Sequence, residues 1–536
     1  MALAVEPRAM STFTAALRQI EALLNRNQAA AALKAAAALV QDYPERHEPQ
    51  VLLGHAHRLA GNHAAALQAA RRAGQLAPGH PSALMLEADL LQLCGERAAC
   101  IEILSGLVTE HSASSPRLLQ DIAQRFTALG LHRQAEACHA AATILAPNQP
   151  AYLYNHASSL IALGRLEQAE TVLDQVIAAK PDDADAWYNR ATLRKQSVDR
   201  NHIAAIEAQL EASAPAAPAR VALGYALAKE REDLGHHAAA FQALSEAANL
   251  RRRQLSYRVE DDVDTMQRIA AAFGADYFQQ ARAGHQDPRP LFVVGLPRSG
   301  TTLVDRILSS HSQVESRGES TDFALALMHC AGPCGSKAEL IARSRQIDPE
   351  LLGQRYCAGL SGPSEQRLID KTPINFLYLG LIAKALPQAR IIHLRRNPMD
   401  ACYAMYKTLF RMAYPFSYSQ QDLAQYWLAY DRLMQHWRAV LPAGHWLEID
   451  YETLVSDQEG VSRQLVEFCD LPWEPACLNF ESNRSPSLTA SAAQVRQPIY
   501  RSSVALWRRY AEQLGPLRAA LEQAGVQIDQ AAGASS

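Results

Sequence analysis

A pattern that repeats about every 34 residues is the feature that most limits how the first half of this chain can fold. Four glycines recur at this spacing: Gly61, Gly95, Gly130 and Gly164. A small residue follows each of them five positions later: Ala66, Cys100, Ala135 and Ala169. Three of the glycines are also followed, after a longer interval, by a proline: Pro78, Pro147 and Pro181.

Each part of this pattern has a structural reason. Glycine allows the tight turn between two antiparallel helices, and a small residue lets the two helices approach closely. Proline ends the second helix because it cannot continue the hydrogen-bond ladder. An earlier copy carries Asn27, Ala32 and Pro44, and a weaker later copy carries Gly235 and Ala240. We therefore predict a helical solenoid over residues 10–250.

The spacing resembles that of the tetratricopeptide repeat. One such repeat cannot bury its own apolar face, so the copies stack into a superhelix with a concave groove. The resemblance implies that the groove binds a peptide or protein partner. The alternative is a scaffold or dimerisation surface. Residues 251–287 continue a helical pattern and are predicted to be a connecting helix and linker.

The stretch "LFVVGLPRSGTTL", residues 291–303, begins the second half. Gly295 and Gly300 have the spacing of the nucleotide-binding P-loop, but Thr301 stands where that loop has its lysine. The apolar run "PLFVVG" predicts a buried strand, and "GTTLVDRILSSH" predicts a helix. A loop that joins a strand to a helix amino terminus forms an anion site. Without the lysine, this loop suits one phosphate and a neighbouring oxyanion without a metal, and ATP or GTP hydrolysis is disfavoured.

A second anion-binding element follows in "RIIHLRRNPMDACYAMYKTLF". "RIIHL" predicts a strand, and Arg395 and Arg396 follow at its carboxyl end, where ligand sites of α/β domains lie. Asn397 can cap a helix that begins at Pro398, and we expect this helix to include "MDACYAMYKTLF". These elements predict a P-loop-like α/β domain with a parallel sheet over residues 288–525, followed by a flexible tail over 526–536.

Composition excludes several classes of function. The net charge is −3, so the chain offers no overall positive charge for nucleic acid, and we expect no nucleic-acid partner. No stretch is long and apolar enough for a membrane helix, and the amino terminus lacks the pattern of a signal peptide. The nine cysteines are scattered, which favours free thiols over a metal site. We therefore expect a cytoplasmic protein, whose oligomeric state the sequence leaves open.

Several ordered motifs over about residues 288–525 resemble sulfotransferases that use 3′-phosphoadenosine 5′-phosphosulfate (PAPS). They are most similar to tyrosylprotein sulfotransferases, in the bacterial form that follows tetratricopeptide repeats. "PRSGTTL" resembles the 5′-phosphosulfate loop and "RRNPMDACYAMY" the 3′-phosphate element. The remaining matches, in order, are "RGES", "DKTPINFLYLGLI", "IDYETLV" and "LTASAAQVRQPIYRSSVALWRRY".

The resemblance implies catalytic roles for three residues. Glu319 is the expected general base, with Glu315 and Asp322 as alternatives. Lys371 and Arg298 are the expected cations that stabilise charge on the leaving phosphate oxygen. A structural alternative for Lys371 is a salt bridge with a nearby carboxylate. His311, His393 and Trp507 are expected to be structural.

The resemblance also implies a set of residues that bind PAPS, with no metal. They are Pro297, Arg298, Ser299, Gly300, Thr301, Thr302, Leu303, Arg396, Tyr451, Ser491 and Arg501. One position departs from the family pattern: Ala404 stands where the family usually has a serine that binds the 3′-phosphate. Arg501 could compensate for the lost hydrogen bond.

Sulfation of a tyrosine in a protein or peptide is therefore the leading functional hypothesis. A glycan, a lipid or a small hydroxyl compound is the alternative acceptor, since each needs the same core chemistry. A repeat scaffold without catalysis and a nucleoside kinase or NTPase are alternatives of other classes. Ala404 is the only support for the scaffold, and Thr301 disfavours the kinase.

Overall fold

The computed structural model describes residues 7–94, 96–111, 115–280, 282–360, 362–483, 485–486 and 494–528. The chain divides into two compact units, Met1–Ser159 and Leu160–Ser536. The domain boundaries predicted near residues 250 and 288 were placed from the repeats and from the motif that begins the second half. They remain a prediction. Among the described residues, no helix has both the length and the apolar surface to cross a membrane.

The helices of the first unit follow the repeat pattern. They are α1 Pro7–Asn25, α2 Ala29–Asp42, α3 His47–Leu59, α4 His63–Leu76, α5 Pro81–Leu93, α6 Arg97–His111, α7 Pro116–Ala128 and α8 His132–Leu145, and α9 Pro150–Leu163 crosses the boundary between the units. Neighbouring helices pack in pairs, such as α3 with α4 and α7 with α8. The helical array expected from the repeats is therefore present.

The predicted turn residues have the expected backbone conformation. Gly61, Gly130 and Gly164 have φ angles of 77°, 73° and 74°, in the left-handed region that favours glycine. Asn27, the turn residue of the earlier copy, has φ 56°. Gly95 lies outside the described residues.

The small residues and the prolines also occupy the expected places. The residue five positions after each turn is fully or almost fully buried at Ala32, Ala66, Cys100, Ala135, Ala169 and Ala240. Helices α2, α4 and α8 end at Asp42, Leu76 and Leu145, two residues before a proline in each case. Close helix packing and helix ends are therefore both encoded in the repeat.

The second unit begins with further helices and continues into an α/β domain. The first helices are α10 Leu166–Ala179, α11 Ala184–Thr192, α12 Ile203–Ala212, α13 Ala219–Asp233, α14 His237–Arg253, α15 Val259–Ala272 and α16 Ala275–Gln279. The described residues form five strands: β1 Pro290–Gly295, β2 Val314–Ser316, β3 Arg367–Asp370, β4 Arg390–Arg395 and β5 Trp446–Asp450. The remaining α-helices are α17 Thr301–Leu308, α18 Asp322–Ala331, α19 Lys337–Ser344, α20 Pro349–Ala358, α21 Leu379–Ala385, α22 Pro398–Tyr406, α23 Gln420–Val440, α24 Tyr451–Ser456, α25 Gln458–Phe468 and α26 Gly515–Gln523.

All five strands are parallel, in the order β2-β3-β1-β4-β5, as the predicted fold class requires. Side chains along β1 alternate between two cores. Leu291 and Val293 face the core formed with α17 and α25, whereas Phe292 and Val294 face the larger core. That larger core also contains Trp187 of α11, so helices that belong to the repeats by sequence share a core with the sheet.

Helix α22 begins as predicted but ends earlier. The Asn397 side chain accepts hydrogen bonds from the backbone amides of Met399 and Asp400, and Pro398 is the first helical residue. The expected helix through "MYKTLF" is wrong at its end, because α22 stops at Tyr406. The next residues make tertiary contacts: Lys407 pairs with Glu232 of α13, and the Leu409 amide donates to the Tyr188 hydroxyl of α11 instead of continuing the helix.

Candidate active site

Five candidate residues follow the carboxyl ends of the five strands. Arg298 follows β1, Glu319 follows β2, Lys371 follows β3, Arg396 follows β4 and Tyr451 follows β5. Because the strands are parallel, their carboxyl ends lie at one edge of the sheet, which is where open α/β domains bind ligands. The topology therefore brings together side chains that are up to about 150 positions apart in the chain.

The loop between β1 and α17 needs its two glycines. Gly295 and Gly300 have φ angles of 153° and 108°. A Cβ on Gly295 would lie 2.6 Å from the carbonyl oxygen of Leu394, and a Cβ on Gly300 would lie 2.6 Å from the Tyr451 ring. Arg298 between them also has a left-handed backbone, with φ 65°. A strained non-glycine residue of this kind is typical of a ligand-binding loop.

The small polar residues of this loop are buried at the amino end of α17. Ser299, Thr301 and Thr302 expose 1%, 4% and 6% of their surfaces. The buried hydroxyl of Ser299 has no hydrogen-bond partner among the described residues. Pro297 and Leu303 flank this group as buried and half-buried neighbours. Buried hydroxyls and amides at a helix amino terminus fit a phosphate or sulfonate oxygen.

Lys371 and Glu319 form an ion pair beside this loop. The Lys371 Nζ donates to Glu319 Oε1 over 2.7 Å. Lys371 is only 1% exposed, whereas the Glu319 side chain is 45% exposed. The sequence analysis gave a salt bridge with a nearby carboxylate as the structural alternative for Lys371. That salt bridge is present, and its carboxylate is the candidate base. A buried cation is joined to a carboxylate that a substrate can reach.

Asp305 is an acidic neighbour of this pair that the sequence analysis missed. It lies on α17, is 5% exposed, and its Oδ1 has no hydrogen-bond partner within the described part of the chain. Burial raises the pKa of Asp305, while the positive charge of Lys371 opposes this effect. The sequence signal was its place on the inner face of α17, one turn after the loop.

Arg396 connects the loop to the segment that follows residue 494. Its guanidinium donates to the carbonyl oxygens of Arg298 and Ser503, each over 2.8 Å, and lies 4.7 Å from the centre of the Tyr451 ring. The Tyr451 hydroxyl lies 2.8 Å from Ser503 Oγ. The buried Nε of Arg396 has no partner in the described ranges. Its remaining donor capacity suits a second anionic group.

The closing segment brings to this group two residues that the sequence analysis did not name as site residues. The Arg298 guanidinium donates to Gln494 Oε1 over 2.6 Å, and Tyr500 lies within electrostatic range of Arg298 and Arg396. Arg501 is exposed and donates to the Ser456 carbonyl, so it is not brought into this group. Ser491 lies outside the described residues. The quoted motif located this segment, but one-dimensional spacing cannot tell which of its side chains point inward.

Ala404 is 9% exposed on α22, and its carbonyl accepts a hydrogen bond from the Thr408 hydroxyl.

Trp507 is 3% exposed, and its backbone amide donates to Asp400 Oδ1 over 3.0 Å. Burial raises the pKa of Asp400, and this carboxyl accepts a second bond from the amide of Ala505. Asp400 therefore ties the closing segment to α22.

Three of the other candidate residues have structural partners. Asp322 pairs with Arg317 over 2.7 Å, and Glu315 lies exposed within β2. The ring of His393 bonds to Glu448 over 2.7 Å, and His311 Nε2 lies 2.7 Å from the Pro472 carbonyl oxygen. These contacts give structural roles to Asp322, His393 and His311, and the choice of Glu319 as the base stays a prediction.

A possible metal-binding group lies elsewhere in the described chain. His285, Asp287 and Cys357 offer ligand atoms within 4.8 Å of one another. His285 and Asp287 precede β1, at the amino end of the sheet. The Asp287 carboxylate is already bound by the Arg289 guanidinium, with the closest contact at 2.6 Å. This cation competes with any metal ion for the same oxygens.

Comparison with known proteins gives matches to both halves. Residues 290–475 match the sulfotransferase family, and residues 150–183 match the tetratricopeptide repeat. An uncharacterized protein of Aquifex aeolicus (strain VF5) is 32% identical over 380 residues, which cover 68% of this chain and 49% of that protein. The protein-tyrosine sulfotransferase of Drosophila melanogaster is 22% identical over 242 residues, or 40% of this chain and 46% of that enzyme.

The chain thus spans about half the length of these two relatives. Among solved structures, the sulfotransferase domain of the Synechococcus PCC 7002 olefin synthase is 21% identical. The matched region covers 45% of this chain and 98% of that domain, with a TM-score of 0.29.

Proposed function

We propose that this chain, which joins tetratricopeptide repeats to a domain of the sulfotransferase family, moves a sulfuryl group from PAPS to a tyrosine hydroxyl in a protein or peptide. The observation that carries the proposal is the 2.7 Å contact between Lys371 Nζ and Glu319 Oε1, beside the loop Gly295–Gly300. In this proposal the pair supplies a proton acceptor and a cation next to an anion site.

The proposed reaction balances within these residues. The bond between sulfur and the phosphate oxygen breaks, and a bond between sulfur and the acceptor oxygen forms. Glu319 takes the proton of the acceptor hydroxyl, as a general base must. Lys371 and Arg298 stabilise the negative charge that grows on the leaving phosphate oxygen. The product is 3′-phosphoadenosine 5′-phosphate (PAP), together with the sulfated acceptor.

The ion pair with Lys371 suits this role for Glu319. The contact holds the Glu319 carboxylate beside the anion site, with Oε1 turned to the buried ammonium of Lys371. Lys371 carries three donor hydrogens, so it can bond to Glu319 and to a phosphate oxygen at the same time. The buried lysine therefore serves the base and the leaving group together.

The loop and Arg396 suit the two ends of the donor. Ser299, Thr301 and Thr302, with the first amides of α17, would hold the 5′-phosphate and the sulfonate. Arg396 would hold the 3′-phosphate, because a guanidinium binds phosphate through two parallel hydrogen bonds. Tyr451 keeps Arg396 in place by packing against its guanidinium. Magnesium is not required by this arrangement, and its absence from the mechanism remains a prediction.

Tyrosine as the acceptor is supported by the distant relatives, several of which are called protein-tyrosine sulfotransferases. The repeats support a polypeptide, since stacked helical repeats present extended concave binding surfaces. A glycan, lipid or small-molecule hydroxyl is the second acceptor class, because it needs the same base and the same donor site. The cytoplasmic location stays a prediction.

The test uses the whole protein with radiosulfur-labelled PAPS and a cell extract, beside a Glu319→Gln variant. Label recovered as sulfotyrosine in protein, and lost in the variant, would support the proposal. Label in glycans or small molecules would retain the mechanism and overturn the acceptor. Equal label with both proteins would overturn Glu319 as the base, and label no higher than in the extract alone would favour a scaffold.

A further inference from the structure

The closing segment, Gln494–Tyr510, makes direct hydrogen bonds to both arginines that are proposed to hold the donor. At its start, Gln494 Oε1 accepts a hydrogen bond from the Arg298 guanidinium over 2.6 Å. Further along, the Ser503 carbonyl oxygen accepts one from the Arg396 guanidinium over 2.8 Å. The position of this segment therefore sets the direction of both cations.

The start of the closing segment is bonded to a repeat turn. The Arg496 guanidinium donates to the carbonyl oxygen of Ala162, near the end of α9, over 3.2 Å. Its side chain lies so close to the turn between α9 and α10 that a Cβ on Gly164 would overlap the guanidinium. The glycine of this repeat copy thus provides both the left-handed turn and the room for Arg496.

The end of the closing segment is bonded to a second repeat copy. The Tyr510 side chain is fully buried, and its hydroxyl donates to Glu232 Oε1 of α13 over 2.9 Å. The ring of His237, the first residue of α14, lies 3.3 Å from the same hydroxyl. Glu232 and His237 flank Gly235, the turn glycine of that copy. Both ends of the segment are therefore held within three residues of a repeat turn.

The chain between Ser503 and Tyr510 has little freedom to absorb a change at its end. Asp400 of α22 accepts hydrogen bonds from the amides of Ala505 and Trp507, over 2.6 Å and 3.0 Å. Helix α22 itself begins two residues after Arg396. A series of bonded groups thus leads from the repeat copy at Gly235 to the guanidinium of Arg396.

We propose that the repeat copies at Gly164 and Gly235 orient the donor-binding arginines by holding the closing segment at its two ends. Arg496 acts through Gln494 on Arg298, and Tyr510, bonded to Glu232, acts through Ser503 on Arg396. A long side chain that is already ordered loses less conformational entropy when a ligand binds. This inference rests on the proposed function. It makes Arg496 and Tyr510 positioning residues for the donor, a role separate from capture of a partner in the groove.

The test measures the Kd of the full chain for PAP and for adenosine 5′-phosphosulfate by calorimetry. Arg496→Met should raise both Kd values about fivefold, the effect of one hydrogen bond, because both ligands carry the 5′-phosphate that Arg298 would hold. Tyr510→Phe should raise the Kd for PAP by a similar factor. It should leave the Kd for adenosine 5′-phosphosulfate within twofold, because that ligand lacks the 3′-phosphate.

Each variant has a matched control. Arg509→Met removes an exposed guanidinium from the same segment. Tyr406→Phe removes a phenol that contacts Ser245 of α14 from α22 instead of from the closing segment. Both controls should bind the two ligands within twofold of wild type. Arg496→Lys, which keeps a cationic donor for the Ala162 carbonyl, should recover most of the affinity.

Gln494→Ala covers the case in which Arg496→Met does not fold, because Gln494 is exposed and its substitution removes the contact to Arg298 directly. It should weaken both ligands alike. Unchanged Kd values in Gln494→Ala, or equal losses for both ligands in Tyr510→Phe, would overturn the inference alone. A wild-type protein that binds neither ligand would instead overturn the proposed function.

Discussion

Lys371, at the end of β3, lies 2.7 Å from Glu319, which follows β2, so the sheet itself sets the distance between the buried cation and the carboxylate. The backbone adds a second link, because the Lys371 amide donates to the Gly318 carbonyl oxygen over 2.9 Å. The pair is therefore held by both its side chains and its strands. Its chemistry is open to direct tests.

Glu319→Gln should remove the general base and keep the shape of the site. We expect kcat to fall by about 10²–10⁴-fold, the usual contribution of a positioned base. The affinity for PAP should stay within threefold, measured by calorimetry, since Glu319 does not hold the donor. Glu315→Gln is the control, because Glu315 is exposed on β2 and should retain wild-type turnover.

Lys371→Met should lower kcat, because the leaving phosphate oxygen loses a cation that stabilises its growing negative charge. Loss of one preorganised donor costs about 10²–10³-fold in comparable sites. Because Lys371 and Glu319 act on the same transition state, the double variant with Glu319→Gln should lose less than the product of the two single effects. Strictly multiplicative losses in kcat would show that the two residues act independently.

Ala404→Ser should strengthen donor binding, since it restores the hydroxyl that the family usually has at this position. One hydrogen bond to a charged group is worth about 1.5–3 kcal/mol, so the Kd for PAP should fall by about tenfold or more. Adenosine 5′-phosphosulfate, which lacks the 3′-phosphate, is the matched ligand whose affinity should not change. Equal gains for both ligands would contradict a role at the 3′-phosphate.

Gly164→Ala should destabilise the second unit more than Gly235→Ala. Both glycines have left-handed backbones, with φ 74° and 80°, so both substitutions cost about 1–2 kcal/mol in strain. At Gly164 the new methyl would also collide with the Arg496 guanidinium, whereas a methyl at Gly235 would meet no described atom within 4 Å beyond its immediate chain neighbours. Urea denaturation of the two variants measures the difference. Equal midpoints would show that Arg496 moves aside without cost.

The stability of the protein should fall as the pH rises through the range in which Asp370 ionises. Burial raises the pKa of Asp370 to about 7, although the Thr372 hydroxyl donates to its Oδ1 over 2.7 Å. The unfolded chain releases this proton near pH 4, so between about pH 4 and 7 the native state binds more protons. The native state therefore loses stability across that window, by at most about 4 kcal/mol.

Asp370→Asn removes this ionisation and keeps an oxygen that can accept the Thr372 hydrogen bond. The Tm of wild type should decline by several degrees more than that of the variant between pH 5 and 8. Differential scanning calorimetry at several pH values measures both slopes. Parallel slopes would show that Asp370 is not the group that titrates.

The repeat pattern allowed the helices of the first unit to be predicted closely. The left-handed turns at Gly61 and Gly130 and the buried Ala66 and Ala135 depend on local geometry, and each copy repeats the same requirements. β1 was predicted over the same residues that form it, because its apolar run ends at a glycine that the loop requires. Asn397 and Pro398 marked the start of α22 for the same local reason.

The end of α22 could not be read in this way. "KTLF" is compatible with a helix, and Lys407 instead pairs with Glu232, which lies 175 positions earlier in the chain. The choice between Tyr500, Ser503 and Arg501 around Arg396 was equally beyond the sequence. In an irregular segment, the side chains of neighbouring residues point in directions that no sequence period specifies.

The sequence by itself determined the repeat helices, the glycine loop and the residue types available for sulfuryl transfer, because turns, caps and apolar periodicity act over a few neighbouring positions. Only the tertiary structure decided that Lys371 bonds to Glu319 and that Lys407 pairs with Glu232. Those contacts join distant parts of the chain. They depend on the parallel order of the strands and on the shared core, which no local pattern encodes.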